Sequence, residues 1–325
     1  MAFFNTVPDG STINFQPGGC YLIDYIIRVT DRNNLVINGN GATFRDTASD
    51  PGITTWGTEG GSNITYENMT IYGSDPSHQY VASLEWQYGI DFEATQGGTV
   101  NNVNIYNVYG DFVEAEYDHQ AGAIASQPAR NILVENSNFS GAGRMGVGLT
   151  DVIGFTMENT SISDVTWDAV DVETDVNQEY ASNIQILNNT FSTITLSLLS
   201  NYGYGYYPNV GNITFSGNIE TNAPSTCAGP VGVNKFPGEY RSNYTITNNQ
   251  LYSGSGGIGI DGVENATIAN NTVNFVLLGC NLLAGIVVID SHTVSVENNS
   301  IVGPFTAAVS VDDLSTGVTL SGNSQ

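Results

Sequence analysis

The motif that decides the fold is Phe155-Thr156-Met157-Glu158-Asn159-Thr160-Ser161-Ile162. Apolar residues alternate with other residues up to an asparagine, two small or polar residues follow, and the next residue is apolar again. This alternation has the period of two that is typical of a β-strand, and asparagine tolerates the left-handed backbone of a tight turn. The motif therefore predicts two short strands joined by an asparagine turn.

The motif recurs along the chain. Further copies are Ile64–Ile71, Leu133–Phe139, Ile184–Phe191 and three segments centred on Asn248, Asn270 and Asn298. Neighbouring asparagines are often 22 to 29 residues apart, with no helical periodicity between the copies. Such repeats predict the coils of a parallel β-solenoid, in which asparagine side chains stack from coil to coil. An antiparallel sandwich is disfavoured because Asn-Gly hairpin signals between the alternating runs are scarce.

The first coils carry a more specific signal. The segments Val7–Phe15, Gly18–Tyr21 and Asn34–Phe44 resemble the opening coils of the right-handed parallel β-helix proteins. These proteins form the pectin-lyase-like superfamily, which includes polysaccharide lyases, glycosidases, uronan epimerases and phage tailspikes.

The resemblance implies an all-β fold, a single-stranded right-handed parallel β-helix (solenoid) with a short N-terminal cap. It implies one domain over residues 1–325, with the cap and first coil in 1–32 and the coils in 33–325. By analogy, a short helix over Ala2–Thr6 would cover the open first coil. The motif set of polygalacturonase-like hydrolases (Asn-x-Asp, Asp-Asp, Gly-His-Gly, Arg-x-Lys) and the Asp-Pro-His motif of alginate epimerases are not found here. The fold therefore brings no active site with it.

Charge excludes several classes of partner. The 325 residues include 7 basic and 32 acidic ones, a formal net charge of −25. Such a chain cannot neutralise a nucleic-acid backbone or an anionic membrane surface, so neither is an expected partner. The longest apolar stretch, Phe275 to Ile289, is interrupted by Asn281 and is too short to span a bilayer, so we expect no membrane insertion. An acidic polymer would be repelled unless a cation bridges it.

Composition and cysteine usage point to the location of the protein. Scarce lysine and abundant Asn, Ser, Thr, Tyr and Gly are typical of an extracellular or virion-surface chain, although a salt-adapted source would also fit. Cys20, Cys227 and Cys280 are far apart and lack metal-type pairing. Three buried thiols are favoured over one disulfide.

Four strands can be aligned: Gly89–Glu93, Phe112–Glu116, Gly146–Thr150 and Ala169–Glu173. Period-2 alternation sends their middle apolar residues inward and the others outward. Two outward columns result; one contains Asp91, Glu114, Gly148 and Asp171, and the other contains Glu93, Glu116, Thr150 and Glu173. Just before them lie Asp111 and Asp168, and Arg144 and Trp167 fall at equivalent places.

Carboxylates stacked on neighbouring coils, about 4.8 Å apart, repel by about 1 kcal/mol in water and about 3–4 kcal/mol at an effective dielectric constant near 20. The columns are therefore either a solvated acidic face, a site for a hard cation, or a set of partly protonated acids. For the cation, Ca²⁺, the candidate ligands are Asp91, Glu114 and Glu116; no other cofactor is required.

The spacings suit glycoside chemistry. Carboxyl groups about 5–5.5 Å apart serve retaining hydrolysis and pairs about 6.5–9.5 Å apart serve inversion. Asp168 and Asp171 are the expected acid and base, with Glu114 or Glu116 opposite and Glu173 beside them. Arg144 is expected either to orient the substrate or to stabilise developing negative charge. Candidate substrate-binding residues are Asp91, Asp111, Trp167, Tyr202, Tyr204 and Tyr206, because aromatic faces pack on sugar rings. The tyrosines could equally form a loop packed on itself.

Three functions remain open from the sequence. The expected one is a polysaccharide-cleaving hydrolase; the alternatives are a Ca²⁺-dependent lyase or epimerase and a non-catalytic glycan-binding adhesin or tail fibre. The run from Phe275 to Ile289 is apolar on both faces. The C-terminal coils are therefore expected to meet a partner, either in a homo-oligomer such as a trimer or by attachment to a larger particle.

Overall fold

The computed structural model describes residues 2–47, 54–117, 127–175, 179–202, 209–222, 226–235, 239–276, 279–281 and 283–325. These ranges form one short helix and 31 β-strands. Among them is no helix with the length and apolar character that a bilayer crossing requires.

The elements follow one another in three stretches. The first comprises α1 (Ala2–Thr6), β1 (Thr12–Asn14), β2 (Cys20–Ile23), β3 (Ile27–Thr30), β4 (Asn33–Asp46), β5 (Trp56–Glu59), β6 (Ser62–Tyr72), β7 (Ile90–Glu93), β8 (Gln96–Val108) and β9 (Val113–Glu116). The second comprises β10 (Ala129–Glu135), β11 (Asn138–Ala142), β12 (Val147–Leu149), β13 (Val152–Glu158), β14 (Ser161–Val165), β15 (Val170–Val172), β16 (Ala181–Leu187), β17 (Thr190–Ile194), β18 (Leu199–Tyr202), β19 (Val210–Ser216), β20 (Ile219–Glu220) and β21 (Val231–Asn234). The third comprises β22 (Arg241–Thr247), β23 (Gln250–Ser253), β24 (Ile258–Asp261), β25 (Val263–Ala269), β26 (Thr272–Phe275), β27 (Ile286–Ile289), β28 (His292–Glu297), β29 (Ser300–Val302), β30 (Val309–Val311) and β31 (Thr319–Ser321).

The strands stack coil on coil. One parallel sheet of 11 strands contains β3, β5, β7, β9, β12, β15, β18, β21, β24, β27 and β30, and the other 20 strands form a second sheet. Each strand pairs in parallel with its counterpart one coil later, as β7 does with β9 and β9 with β12. This topology confirms the predicted parallel β-helix. The predicted cap is also present, since α1 buries Phe4 against the ring of Trp56 at a centroid distance of 5.6 Å.

The core is a stack of apolar side chains that point into the coil. On the 11-stranded sheet, the inward column Ile90, Val113, Val147 and Val170 has no exposed surface. Burying an aliphatic side chain of this size stabilises the fold by about 1.5–3 kcal/mol. The same alternation places the intervening residues of these strands on the outer face, where the candidate site lies.

Asparagine has two separate roles at the turns. The predicted turn asparagines adopt left-handed backbone with φ between 51° and 59°: Asn68, Asn136, Asn159, Asn188, Asn248, Asn270 and Asn298. In the later coils, a second set of asparagines is buried, and these residues bond one another from coil to coil in a continuous ladder. Most of them directly follow the turn asparagine. Each amide in this ladder bonds the next at 2.9–3.2 Å, through Asn189, Asn218, Asn249, Asn271, Asn299 and Asn323.

The expectation of three buried thiols is wrong. Cys227 and Cys280 form a disulfide, with Cα atoms 5.7 Å apart, and Cys20 is exposed. The two half-cystines are 53 residues apart in sequence. They meet because the coil stacking, which sequence separation does not reveal, brings their loops together.

The C-terminal coils expose part of their apolar run. Leu283 and Ile289 are among the exposed large hydrophobic residues, whereas Ile286 and Val288 are buried. The expected oligomer or particle contact at these coils stays a prediction.

Candidate functional site

The predicted register of the acidic strands is confirmed. In the pairing of β7 with β9, Asp91 lies opposite Glu114 and Glu93 opposite Glu116. On the following coils Glu114 lies opposite Gly148, and Gly148 opposite Asp171. The first column thus continues across four coils, and the second pairs Glu93 with Glu116 on adjacent coils.

The solvated-face interpretation of these columns is wrong for their N-terminal half. Asp91, Glu93, Glu114 and Glu116 are only 1–5% exposed. Burial, reinforced by the neighbouring carboxylates, raises the pKa of Asp91 and the pKa of Glu114 well above the ordinary carboxyl range. The acids lie on the outer face of the sheet and are nevertheless withdrawn from water, which is costly for ionised groups.

A cleft of about 430 Å³ opens at the C-terminal end of the columns. Three acidic side chains line it, Asp168, Asp171 and Glu173. The remaining lining is largely aromatic, apolar or hydroxyl-bearing: Met145, Trp167, Leu196, Ser197, Ser200, Tyr202 and Ala228. Five residues predicted for catalysis or substrate binding therefore share one cleft.

The three carboxyls of this cleft differ in their electrostatic state. Burial raises the pKa of Asp168 to about 6. A hydrogen bond of 2.7 Å, which its Oδ1 accepts from the backbone N–H of Ser197, opposes this increase. Burial, then repulsion by Glu173 and Asp168, raises the pKa of Asp171 well above its ordinary value. Burial raises the pKa of Glu173 less, because the Arg144 guanidinium and a hydrogen bond with Asp171 oppose the increase.

Arg144 links two coils beside the cleft. Its Nη1 donates to Oδ2 of Asp111 at 2.8 Å, and its Nη2 donates to Oε2 of Glu173 at 3.1 Å. Asp111 is fully buried, and its other oxygen accepts the backbone N–H of Met145 at 2.9 Å. In this structure Asp111 therefore holds Arg144 in place and does not line the cleft.

The acids on β7 and β9 form a separate group. Glu114 turns toward Thr150, whose hydroxyl donates to its Oε1 at 2.8 Å. Carboxylate oxygens of Asp91, Glu93 and Glu116 instead lie within 4.8 Å of one another. The trio that the structure brings together therefore differs from the predicted ligand set, Asp91, Glu114 and Glu116, at one residue: Glu93 takes the place of Glu114. The difference is one of side-chain direction, which a register alone does not specify.

The aromatic candidates divide into two groups. Trp167 packs against the ring of Tyr80 at a centroid distance of 4.4 Å and an interplanar angle of 33°, and Tyr202 is 40% exposed on the cleft wall. Tyr204 and Tyr206 lie outside the described residues. Sequence reasoning missed Ser197, Ser200 and Leu196. Ser200 pairs with Asp171, so extending the register by one further coil would have found it.

Comparisons with known proteins support this architecture. A family model described as the right handed beta helix region matches residues 232–324. No curated protein matches the chain in sequence.

Solved structures match the chain over nearly its whole length. PfbA, a surface adhesin of Streptococcus pneumoniae, superposes with a TM-score of 0.73 at 16% identity over 99% of this chain and 83% of its own. The A-module of the Azotobacter vinelandii mannuronan C-5 epimerase AlgE6 gives 0.66 at 16% identity over 94% and 86%. The catalytic unit of a GH87 α-1,3-glucanase from Streptomyces thermodiastaticus gives 0.69 at 15% identity over 100% and 65%. The chain therefore has the fold of these proteins, a right-handed parallel β-helix.

Proposed function

We propose that this protein is a carbohydrate-active β-helix enzyme that cleaves a neutral or cation-shielded polysaccharide by acid–base glycoside hydrolysis. The observation that carries the proposal is the cleft beside β15, where three carboxyls with raised pKa values, Asp168, Asp171 and Glu173, stand next to exposed aromatic surface. Acids whose pKa values are moved toward neutrality inside a cleft are typical of catalytic groups.

The different environments of the carboxyls support different catalytic roles for them. Burial, then repulsion by Glu173 and Asp168, raises the pKa of Asp171 well above its ordinary value, so Asp171 keeps its proton to higher pH than an ordinary aspartate. We assign it as the general acid that protonates the glycosidic oxygen as the bond to the anomeric carbon breaks. Asp168, with a pKa of about 6, is ionised at pH 7 and serves as the base. It accepts a proton from the water whose oxygen bonds to the anomeric carbon.

Glu173 and Arg144 hold the acid in position. Glu173 is hydrogen-bonded to Asp171 and ion-paired with Arg144 at 3.1 Å. This pairing fixes the direction of the Asp171 carboxyl, as a catalytic constellation requires. Arg144 acts through Glu173 and is therefore a positioning residue in this proposal.

The lining of the cleft favours an uncharged sugar chain. Trp167, Tyr202 and Leu196 offer faces on which the apolar side of a pyranose ring packs, while Ser197 and Ser200 can bond its hydroxyls. None of the described lining residues is Lys, Arg or His, the cationic groups that would neutralise a uronate. This lining favours hydrolysis over lyase or epimerase chemistry.

The disulfide supports a location outside the cytosol. Disulfides such as Cys227–Cys280 form and persist in oxidising compartments. We therefore place the protein in the extracellular space or on a virion surface, where polysaccharides are accessible. The surface adhesin and the bacteriophage phi29 gene product 12 among the structures with this fold are compatible with that location.

The test is an activity screen on neutral glucans, xylans and mannans and on uronate polymers. Release of reducing ends and ultraviolet absorbance of unsaturated uronates are both recorded. We expect reducing ends without new absorbance, and kcat/KM that rises with pH through about 6 as Asp168 loses its proton. Asp171→Asn and Asp168→Asn should each lower kcat by roughly 10²–10⁴-fold.

Glu220→Gln is the matched control, because Glu220 is also a buried carboxyl with a raised pKa but does not line the cleft. Its turnover should match that of the wild type. New absorbance would identify a lyase, and binding without cleavage would identify an adhesin-like glycan binder. Full turnover by Asp171→Asn would overturn the assignment of the acid.

A further inference from the structure

Three buried acids on adjacent coils converge outside the cleft. Asp91 and Glu93 extend from β7 and Glu116 from β9, and one carboxylate oxygen of each lies within 4.8 Å of the others. Their side chains are at least nine-tenths buried, with residue exposures of 3%, 5% and 4%. None of the three lines the cleft of Asp168 and Asp171.

Two of these acids present unsatisfied oxygens. Oδ1 of Asp91 and Oε2 of Glu93 are buried and have no hydrogen-bond partner. Buried polar atoms in native proteins are almost always paired, so an unpaired carboxylate oxygen indicates a missing partner. In the ionised form that a cation binds, a carboxylate only accepts, so the partner that these oxygens lack is a donor or a cation. A cation at this place would displace the proton that the raised pKa of Asp91 otherwise keeps there.

Arginine does not supply the missing charge. Arg28 approaches Glu93 at 3.8 Å, but it also contacts Glu59 on the neighbouring coil. Arg144 is engaged by Asp111 and Glu173 at the other end of the columns. No ion pair of the described chain includes Asp91. Negative charge is therefore concentrated between the two guanidiniums.

We propose that Asp91, Glu93 and Glu116 bind one Ca²⁺ ion. Calcium takes oxygen ligands at about 2.3–2.6 Å, so two donors on opposite sides of the ion are about 4.6–5.2 Å apart. Donors no more than 4.8 Å apart can therefore share it. Mg²⁺ requires near-ideal octahedral ligands at about 2.0–2.1 Å and keeps several waters, which a buried trio of carboxylates does not favour.

The ion would join successive coils. Because two ligands come from β7 and one from β9, binding replaces repulsion between neighbouring coils by shared attraction to one cation. A ligand that binds the native state alone raises its stability by mass action. Ca²⁺ bound at this site therefore stabilises the N-terminal coils. This role is independent of the proposed hydrolase activity.

The experiment uses the whole protein after treatment with EDTA and exchange into metal-free buffer. Calorimetric titration with CaCl₂ and with MgCl₂ measures affinity and stoichiometry, and thermal unfolding with and without Ca²⁺ measures the effect on stability. For the wild type we expect one Ca²⁺ per chain, weaker binding of Mg²⁺ and a higher Tm with Ca²⁺. Asp91→Asn and Glu116→Gln should each bind Ca²⁺ at least tenfold more weakly and lose the Tm increase.

Two features keep the test decisive. Without metal, Asp91→Asn should melt at or above the wild type, because it removes a buried acid whose ionisation next to two other carboxyls is costly. Its lost response to Ca²⁺ therefore cannot come from misfolding. Glu220→Gln, a buried carboxyl elsewhere on the helix, should keep the full response. Failure of the wild type to bind Ca²⁺ would overturn the proposal, as would wild-type affinity in both Asp91→Asn and Glu116→Gln.

Discussion

The carboxylate of Glu114 occupies the space that a side chain at position 148 would need. The two residues are opposite each other on adjacent coils, and a β-carbon placed on Gly148 would lie 1.9 Å from Oε2 of Glu114. Because position 148 has no side chain, the Glu114 side chain extends over the next coil. There its Oε1 accepts a hydrogen bond of 2.8 Å from the hydroxyl of Thr150. The gap in the acidic column at Gly148 is therefore filled by the acid of the preceding coil.

Gly148→Ala should destabilise the protein by about 1–3 kcal/mol, because overpacking forces either the backbone or a buried carboxylate to move. Urea denaturation measures the change. Gly259→Ala is the control, since Gly259 belongs to the same outward column but its β-carbon would be 3.9 Å from the nearest atom, the carbonyl oxygen of Val231. Adding Glu114→Ala should recover part of the loss at position 148; equal effects of the two alanines would contradict the steric explanation.

Arg144→Ala should destabilise the protein by about 3–5 kcal/mol, because it leaves the fully buried Asp111 without its cation. Arg45→Ala provides the comparison; Arg45 is exposed, lies 4.3 Å from the centroid of the Tyr72 ring, and should contribute only about 0.5–1 kcal/mol. Equilibrium denaturation of both variants and the wild type measures the two losses in free energy of unfolding. A loss below about 1 kcal/mol for Arg144→Ala would show that Asp111 does not depend on this cation.

The register of the site could be predicted from the sequence, because it depends on local patterns alone. Alternation along each strand fixes which face a residue takes, and the turn asparagine fixes where each strand begins. These two facts were enough to place Asp91 opposite Glu114 and Gly148 opposite Asp171.

Burial and side-chain direction could not be predicted in the same way. Whether an outward acid meets water depends on the loops and neighbours that cover it, so the withdrawal of Asp91 and Glu114 from solvent appears only in three dimensions. The same holds for the choice of Glu93 over Glu114 in the trio and for the pairing of Cys227 with Cys280. Each depends on how one coil lies on the next.

The stability of the wild type should fall as pH rises from about 4.5 to about 7 through a contribution from Glu220. Burial raises the pKa of Glu220 from 4.5 to about 7, so the folded state binds a proton that the unfolded state has already released in this range. The contribution reaches about 3 kcal/mol. Free energies of unfolding at several pH values measure it.

Glu220→Gln should lose this part of the pH dependence, since an amide oxygen can still accept the backbone N–H that Tyr252 now donates to Oε2 at 2.7 Å. Asp151 and Asp168, whose pKa values burial raises to about 6, remain in the variant and preserve their own pH dependence. The difference between variant and wild type should therefore grow toward pH 7. Parallel curves would show that Glu220 titrates normally.

The buried ladder makes Asn249 a critical residue of the C-terminal coils. Its Nδ2 donates to the carbonyl oxygen of Phe215 at 2.9 Å and to Oδ1 of Asn271 at 2.9 Å. Its Oδ1 accepts the backbone N–H of Asn218 at 2.9 Å and the amide of the same residue at 3.1 Å. One side chain thus satisfies two buried backbone groups of the preceding coil and bonds side-chain amides on the coils before and after it.

Asn249→Ala should destabilise the protein by about 2–6 kcal/mol, because the N–H of Asn218 and the carbonyl of Phe215 would each lose a buried partner, at about 1–3 kcal/mol per group. Asn243→Gly is the control. Asn243 bonds Asn212 at 2.8 Å in an exposed pair and has a φ of 61°, which glycine adopts freely, so its loss should have only a small effect. Urea denaturation of both variants compares a buried amide with an exposed one; if the two variants unfold at the same urea concentration, the ladder contributes no more than its surface counterpart.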